Sequence, residues 1–189
     1  MDEQLTAAEL QQVAMLAQRA VAAAVSEGRR LNLVAARLAP ALQRPGAAFV
    51  TLRREGVLRG CIGTLEPLPT LAEAVVDRAY AAALHDPRFA PVGVGELVGL
   101  EVSVSVLTRP LPIEVDSYEQ LRLRLHPGTD GVVVQAGRYA ATFLPSVWDE
   151  LPAVDDFLAA LWRKAGLPDQ AWPPGIVVSC YTAQHAVAD

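Results

Sequence analysis

A cysteine between two glycines is the feature of this sequence best suited to chemistry. Cys61 lies in the run LRGCIG, residues 58–63, inside a segment with the pattern of a β-strand. Residues two apart in a strand share a face, so Arg59, Cys61 and Gly63 are expected to point the same way. An arginine beside a thiol favours the reactive thiolate, and strand glycines let a ligand or a second backbone come close. Free cysteine is also among the most often buried residue types, so a structural role stays open.

A second cluster of candidate side chains lies at the end of a predicted helix. His85 and Asp86 precede Pro87 and Arg88, and a histidine beside a carboxylate can form an acid–base pair. The alternative is a helix terminus, where His85 meets the negative end of the helix dipole and Pro87 prevents continuation. Because the planar fork of arginine suits a carboxylate or a phosphate, Arg59 and Arg88 are candidates for binding an anionic group. Asp86 is a candidate for orienting one of them or for catalysis.

Composition and charge argue against several classes of protein. The 189 residues are 52% hydrophobic with a net charge of −5, which is typical of a globular chain and disfavours broad binding of nucleic acid. No apolar run approaches the ~20 residues that span a membrane, and the acidic start Met1-Asp2-Glu3 is unlike a signal peptide. His126 and His185 are isolated, and no nucleotide-binding or nucleophile-elbow motif occurs. We therefore expect no metal, no cofactor and a cytoplasmic location, where Cys61 and Cys180 stay reduced.

The pattern of apolar residues predicts helices separated by hairpins. Two capping boxes, Thr6–Glu9 and Thr70–Glu73, begin amphipathic helices that should end near Ser26 and Leu84. The other predicted elements are helices over 31–39, 117–125 and 153–165, strands over 49–52, 57–65, 100–107, 132–134 and 138–143, and a closing strand over 176–184. Strands that arrive as hairpins with helices between them predict an α+β fold with a largely antiparallel sheet flanked by helices.

Several blocks of the sequence resemble one known family. Residues 58–65, LRGCIGTL, are similar to the signature of the AMME syndrome candidate family, whose bacterial and archaeal members are called AmmeMemoRadiSam system protein A. Further matching blocks are residues 49–52 (FVTL), 86–89 (DPRF), 100–107 (LEVSVSVL), 128–131 (GTDG), 142–145 (TFLP) and 164–167 (KAGL). The resemblance extends from about Leu10 to Tyr181, and the hexapeptide LRGCIG is specific to the family.

The resemblance implies a fold and a set of site residues. Members have a larger and a smaller lobe, with the motif near the cleft between them. For this chain it implies a single domain over 1–189, with a larger lobe over about 1–108 plus the C-terminal segment and a smaller lobe over about 109–150. The residues that carry over from the family's motifs are Arg59, Gly60, Cys61, Gly63, Asp86, Arg88, Thr142 and Pro145, whereas His85 does not.

The resemblance also implies partners. Relatives occur with a Memo-like protein, which resembles extradiol dioxygenases, and with a radical S-adenosylmethionine enzyme. One hypothesis is an enzyme, or its substrate-handling part, in which Cys61 is the reactive or substrate-contacting thiol. Another is a non-catalytic module that docks onto one of those partners through the motif face. A third is nucleic-acid binding through the pairs Arg29-Arg30 and Arg53-Arg54, which the acidic net charge disfavours.

The motif is expected to form a central strand, with Cys61 close to Asp86, to Arg88 or to the corner at residues 142–145. Such positions, at the ends of strands and helices, are where the matching blocks cluster. Cys180 lies in the apolar closing strand. It is therefore expected to be a reduced structural residue without a disulfide to Cys61.

Overall fold

Two sheets, each with its own helices and hydrophobic core, make up the protein. The structure, a computed structural model, describes residues 4–33 and 38–188. The first unit contains residues up to Arg109 and those from Gln184 onward, and the second unit is Pro110–Ala183. The predicted α+β class with antiparallel pairing is confirmed. The expected smaller lobe ends near residue 150, whereas the second unit continues to Ala183 and includes the last long helix.

The helices and strands follow the predicted alternation. In chain order they are α1 (Ala7–Glu27), β1 (Ala47–Arg54), β2 (Val57–Gly63), α2 (Leu71–Leu84), β3 (Leu100–Leu107), β4 (Leu111–Pro112), α3 (Tyr118–Arg124), β5 (Gly131–Ala136), β6 (Tyr139–Phe143), α4 (Val154–Ala165), β7 (Val177–Tyr181) and β8 (Ala183–Val187). Short 3₁₀ turns cover Pro40–Gln43, Val94–Glu96 and Pro145–Asp149. None of the helices in the described part of the chain is both long and apolar enough to cross a membrane.

Both predicted capping boxes are confirmed. The backbone N–H of Glu9 donates to the Thr6 hydroxyl at 3.3 Å, and that of Glu73 donates to the Thr70 hydroxyl at 3.1 Å. Each glutamate in turn accepts from the backbone N–H of its threonine. These bonds satisfy donors that the first turn of a helix leaves open, and so they determine where α1 and α2 begin.

Two predicted elements differ from the structure. Of the helix predicted over 31–39, the structure describes residues 31–33 and 38–39, and these are not helical. Residues 34–37 lie outside the described residues. A 3₁₀ turn begins instead at Pro40, because proline suits the first position of a helical turn, where its missing N–H is not needed. The closing strand is two strands: β7 pairs with β5 in the second unit, and β8 joins the sheet of the first unit. The last pair of β7 is Tyr181 with Gly131, and Thr182 separates the two strands.

The sheet of the first unit has the strand order β2-β1-β3-β8. β1 pairs antiparallel with both β2 and β3, so β2 lies at the edge and the expectation of a central motif strand is wrong. α2 packs on β1 and β2, and α1 packs on α2 and β3. The core between helices and sheet contains Val50, Leu52, Val75 and Val104, all of them fully buried. Burying such side chains contributes roughly 1.5–3 kcal/mol each.

The sheet of the second unit has the order β4-β7-β5-β6 and packs against α4. Its core is aromatic: the rings of Trp148 and Phe157 are stacked with centroids 3.7 Å apart. Trp162 is fully buried, and its indole N–H donates to the carbonyl of Ala171 at 2.8 Å. These tryptophans are packing residues of the second unit.

Candidate functional site

The LRGCIG run forms most of β2, and a bulge in this strand decides where its side chains point. Leu58 pairs with Arg53, but Gly60 pairs with Leu52, so Arg59 is an extra residue without a partner on β1. A bulge of this kind interrupts the two-residue alternation of a strand. Arg59 therefore leaves the face that it was predicted to share with the thiol.

The guanidinium of Arg59 is bonded through all of its nitrogens to the loop after α2. Nε and Nη2 donate to the two carboxylate oxygens of Glu96 at 2.8 and 3.0 Å. Nη1 donates to the carbonyl of Ala90 at 2.8 Å, and Nη2 to that of Pro91 at 3.2 Å. The hydrogen bond from Arg59 is the main cause that lowers the pKa of Glu96 to about 2. Arg59 thus ties this loop to β2, and none of these hydrogen bonds goes to Cys61.

The thiol of Cys61 faces a hydroxyl across the hairpin. Cys61 is half-buried, and its Sγ lies 3.3 Å from Oγ1 of Thr51, the residue paired with it on β1. The N–H of Thr64 donates to the carbonyl of Ala48 at 3.1 Å. Hydrogen-bonded and non-hydrogen-bonded pairs alternate along an antiparallel hairpin, so Cys61 and Thr51, three pairs away from Thr64 and Ala48, form a non-hydrogen-bonded pair. In such a pair the side chains lie close together, and the backbone N–H and C=O groups point away from the partner strand. The N–H and C=O of Cys61 are therefore presented at the outer edge of the sheet.

The segment Asp86-Pro87-Arg88-Phe89 meets this edge. The Phe89 N–H donates to the Asp86 carbonyl at 3.1 Å, which closes a β-turn with proline at its second position. The Cys61 N–H donates to Oδ2 of Asp86 at 2.8 Å, and Nη2 of Arg88 donates to the Cys61 carbonyl at 3.0 Å. The predicted proximity of Cys61 to Asp86 and Arg88 is confirmed. The two side chains occupy the edge positions that a further strand would take.

The carboxylate of Asp86 is buried and fully engaged. Its side chain is 2% exposed and accepts from the backbone N–H groups of Cys61 and Arg88 and from Nε and Nη2 of Arg88, at 2.7 to 3.1 Å. The hydrogen bond from the Arg88 side chain is the main cause that holds the pKa of Asp86 far below its ordinary range, although burial opposes it. A carboxylate that stays ionised under four donors is poorly placed to exchange a proton with a substrate. The geometry therefore favours Asp86 as the residue that orients Arg88.

Arg88 has one guanidinium nitrogen that is available to a ligand. Its side chain is 53% exposed, and Nη1 makes no hydrogen bond to any residue that the structure describes. Asp86 is the main cause that raises the pKa of Arg88, and the Cys61 thiol adds a smaller contribution. The positive charge beside the thiol is thus Arg88 and not Arg59. A fixed guanidinium with a free N–H next to a thiol can bind an anionic group there.

The two glycines of the motif make room for protein neighbours. A Cβ on Gly60 would lie 2.4 Å from the carbonyl oxygen of Ala82, so glycine here lets α2 approach β2. A Cβ on Gly63 would lie 2.0 Å from the ring of Phe49, its partner on β1. An aromatic ring that covers a strand glycine compensates for the missing side chain. The strand glycines predict the close approach of a ligand or a second backbone, and at Gly60 that backbone is the C-terminal turn of α2.

Thr142 and Pro145 lie in the second unit, and the structure gives both of them local roles. Oγ1 of Thr142 lies 3.0 Å from the carbonyl oxygen of Val132 and 2.8 Å from the hydroxyl of Tyr181. Burial is the main cause that raises the pKa of Tyr181 to about 12. Pro145 begins the 3₁₀ turn that follows β6. Their assignment as binding residues stays a prediction.

The remaining candidates have ordinary surroundings. Cys180 and Cys61 are both free thiols, and burial raises the pKa of Cys180 to about 11, as expected of a structural thiol in β7. His85 caps the C-terminus of α2 and packs its ring against Tyr80. Across residues 4–33 and 38–188, no three His, Cys, Asp or Glu side chains are grouped as metal ligands.

Sequence reasoning missed Thr51 and Glu96. Thr51 belongs to the block FVTL that precedes the motif, and a hairpin register could have placed it near Cys61. Without the bulge, however, the two-residue turn after Arg54 would pair Thr51 with Gly60 instead. Glu96 lies far along the chain from Arg59, and no local signal joins the two.

Comparison with known proteins identifies the family. The AMMECR1 family model matches residues 14–186. A protein from Methanosarcina acetivorans is 40% identical over 149 residues, which cover 78% of this chain and 74% of that protein. One from Methanosarcina mazei is 35% identical over 184 residues, covering 95% and 92%. The crystal structure of an uncharacterized protein from Pyrococcus horikoshii matches with a TM-score of 0.89 at 34% identity, over 96% of this chain and 92% of that one. The predicted resemblance is confirmed, and the chain belongs to the AMMECR1 family.

Proposed function

We propose that this protein handles an anionic substrate at the outer edge of β2, with Arg88 holding an acidic group beside the thiol of Cys61. The observation that carries the proposal is the way Arg88 is held. Asp86 and the Cys61 carbonyl fix its Nε and Nη2, while Nη1 is left for a ligand. A guanidinium that is oriented before binding loses less conformational freedom when the ligand arrives.

In this proposal the protein works in the cytoplasm, either as an enzyme or as the substrate-handling component of one. Cys61 is then the reactive or substrate-contacting thiol, and Asp86 is the positioning residue for Arg88. The Memo-like protein and the radical S-adenosylmethionine enzyme that accompany relatives are the proposed partners. Two unbridged thiols fit a reducing compartment.

The structural features give less support to the other two hypotheses. A docking module that pairs strand to strand needs a free edge, but Asp86 and Arg88 occupy the backbone groups of Cys61 on β2. Nucleic-acid binding needs arginines with free charge. Of the four arginines in that hypothesis, Arg29 and Arg30 are paired with Glu27 and Asp77, and Arg54 lies 3.9 Å from Glu96.

Alkylation with two reagents of similar size tests the proposal. Iodoacetate carries a carboxylate and iodoacetamide does not, so a cation beside the thiol should favour iodoacetate. We expect the ratio of the two rates at Cys61 to fall about fivefold in Arg88→Gln, which corresponds to ~1 kcal/mol for one partly exposed charge. Rates at each cysteine are measured by mass spectrometry of the intact and digested protein. Cys180 serves as the internal reference, since burial raises the pKa of its thiol.

Arg53→Gln is the matched control. Arg53 is an exposed arginine of the same hairpin and donates to the carbonyl of Gly56, so its loss should leave the ratio at Cys61 unchanged. An equal ratio in wild type and Arg88→Gln would reject the anion-binding role. A Cys61 that reacts with neither reagent until the protein unfolds would leave the docking module as the better hypothesis.

A further inference from the structure

The outer edge of β2 carries a second donor, two residues beyond Cys61. Gly63 pairs with Phe49 as the next non-hydrogen-bonded pair, so its N–H points away from β1, as the N–H of Cys61 does. The Cys61 N–H is bonded to Asp86, whereas the Gly63 N–H finds no acceptor within residues 4–33 and 38–188. The edge therefore presents an open amide next to the carbonyl that Arg88 binds.

Arg78 of α2 is a cation that the described residues do not pair. Its Nε is buried and bonds to none of them, and its guanidinium makes no ion pair with them. Buried polar atoms in folded proteins nearly always have a partner, so a buried guanidinium nitrogen without one points to a ligand. Arg59 and Arg88, which also lie near this edge, are each held by a carboxylate.

Helical periodicity places Arg78 beside this edge. α2 follows β2 in the chain and returns along it, so that the carbonyl of Ala82 contacts Gly60. Arg78 lies one turn before Ala82 and hence on the same side of the helix. One helical turn matches the length of about two strand residues, so Arg78 lies about two residues beyond Gly60 toward the C-terminal end of β2. Side chains of a helix lean toward its N-terminus, which here is the direction of Gly63. We therefore expect Arg78 at the level of the Gly63 N–H along β2.

We infer that Arg78 and the Gly63 N–H form a second anion-binding position, which extends the site at Arg88 along β2. The inference rests on the proposed function and names its substrate class. Two positions separated by about two strand residues, roughly 6.6 Å, suit a small dicarboxylate in an extended conformation. One carboxylate binds Arg88 beside Cys61, and the other binds Arg78 and the Gly63 amide.

A protection experiment with matched probes tests this inference. Adipate and hexanoate share a six-carbon chain, but only adipate has a second carboxylate. Each is titrated at constant ionic strength as a protector of Cys61 against iodoacetamide. In the wild type, adipate should reach half-protection at a concentration at least about tenfold lower than hexanoate, because it gains charge-assisted hydrogen bonds. Arg78→Met should remove this advantage and leave protection by hexanoate unchanged.

The outcomes separate the two proposals. An advantage of adipate that survives in Arg78→Met would overturn the second position, and so would equal protection, or none, in the wild type. The iodoacetate ratio at Cys61 depends on Arg88 alone and would stand in each case. Arg78→Lys should keep part of the advantage of adipate, since the charge remains. A melting temperature of Arg78→Met at or above the wild-type value is also expected, whereas a fall of several degrees would show that Arg78 is structural.

Discussion

Asp86 joins β2 to the turn after α2 through one buried carboxylate. It accepts from the backbone of β2 at Cys61, from the backbone of its own turn at Arg88, and from the Arg88 side chain. Charge-assisted hydrogen bonds are stronger than neutral ones, and they are costly to lose when the group that remains is buried. The arrangement of Arg88 beside the thiol therefore depends on Asp86 staying ionised.

Asp86→Asn should lower the free energy of unfolding by about 2 kcal/mol, the range for hydrogen bonds to a charged group. The folded pKa of Asp86 lies below that of the unfolded chain, so its stabilising contribution is complete above about pH 4 and is lost as pH falls toward the folded pKa. The difference between wild type and variant should thus be constant from about pH 5 to 8 and shrink below about pH 4. Urea unfolding at several pH values measures it.

Asp77→Asn is the control for this prediction. Asp77 pairs with Arg30 at 2.9 Å on the surface of α2, where an ion pair contributes at most about 1 kcal/mol. A variant at Asp86 that costs no more than the one at Asp77, or whose effect is the same at about pH 3 as at pH 7, would contradict the role given to this carboxylate.

At the scale of the elements, Gly60 determines how closely α2 packs on β2. Gly60→Ala places a methyl group 2.4 Å from the backbone oxygen of Ala82, which cannot move without shifting the helix. We expect a loss of roughly 1–3 kcal/mol of stability, as for other overpacked sites. Gly95→Ala is the matched control, because no atom lies within 4 Å of its added Cβ. Thermal unfolding gives the melting temperature of each variant, and equal values for the two would refute the packing argument.

Local signals explain why the helices α1 and α2 were predicted well and the details of β2 were not. The threonine–glutamate capping boxes act within four residues, so the sequence shows them directly. The bulge at Arg59 arises from the pairing of two strands, and it changes the partner of Thr51 from Gly60 to Cys61. A two-residue alternation cannot reveal that shift, and so it predicts Arg59 as the cation beside the thiol.

At the scale of the whole molecule, the order of the strands in the first sheet places β2 at its edge, which the sequence does not reveal. β2 and β1 form a predictable hairpin, but the place of β3 on the other side of β1 follows from pairing between residues about fifty positions apart. Edge strands are often protected by bulges and by charged side chains. The bulge and the charged side chain of Arg59 are features of an edge strand, which the sequence alone does not distinguish from features of a binding site.

The matching family blocks are spread over both units. Six of the candidate residues lie in the first unit: Arg59, Gly60, Cys61 and Gly63 belong to β2, and Asp86 and Arg88 bind its outer edge. Thr142 and Pro145 lie in the second unit, where a hydroxyl network and a 3₁₀ turn account for them. The site that we propose needs only residues of the first unit, so it can be tested without any assumption about the second.

A crystal structure with a bound carboxylate tests the central claim most directly. Crystals of the wild-type protein grown with adipate should show a carboxylate about 3 Å from Nη1 of Arg88, on the side of β2 where Cys61 lies, with the Asp86–Arg88 pair unchanged. A carboxylate that binds elsewhere while Nη1 of Arg88 stays in water, or an Arg88 that leaves Asp86 to reach it, would contradict the account.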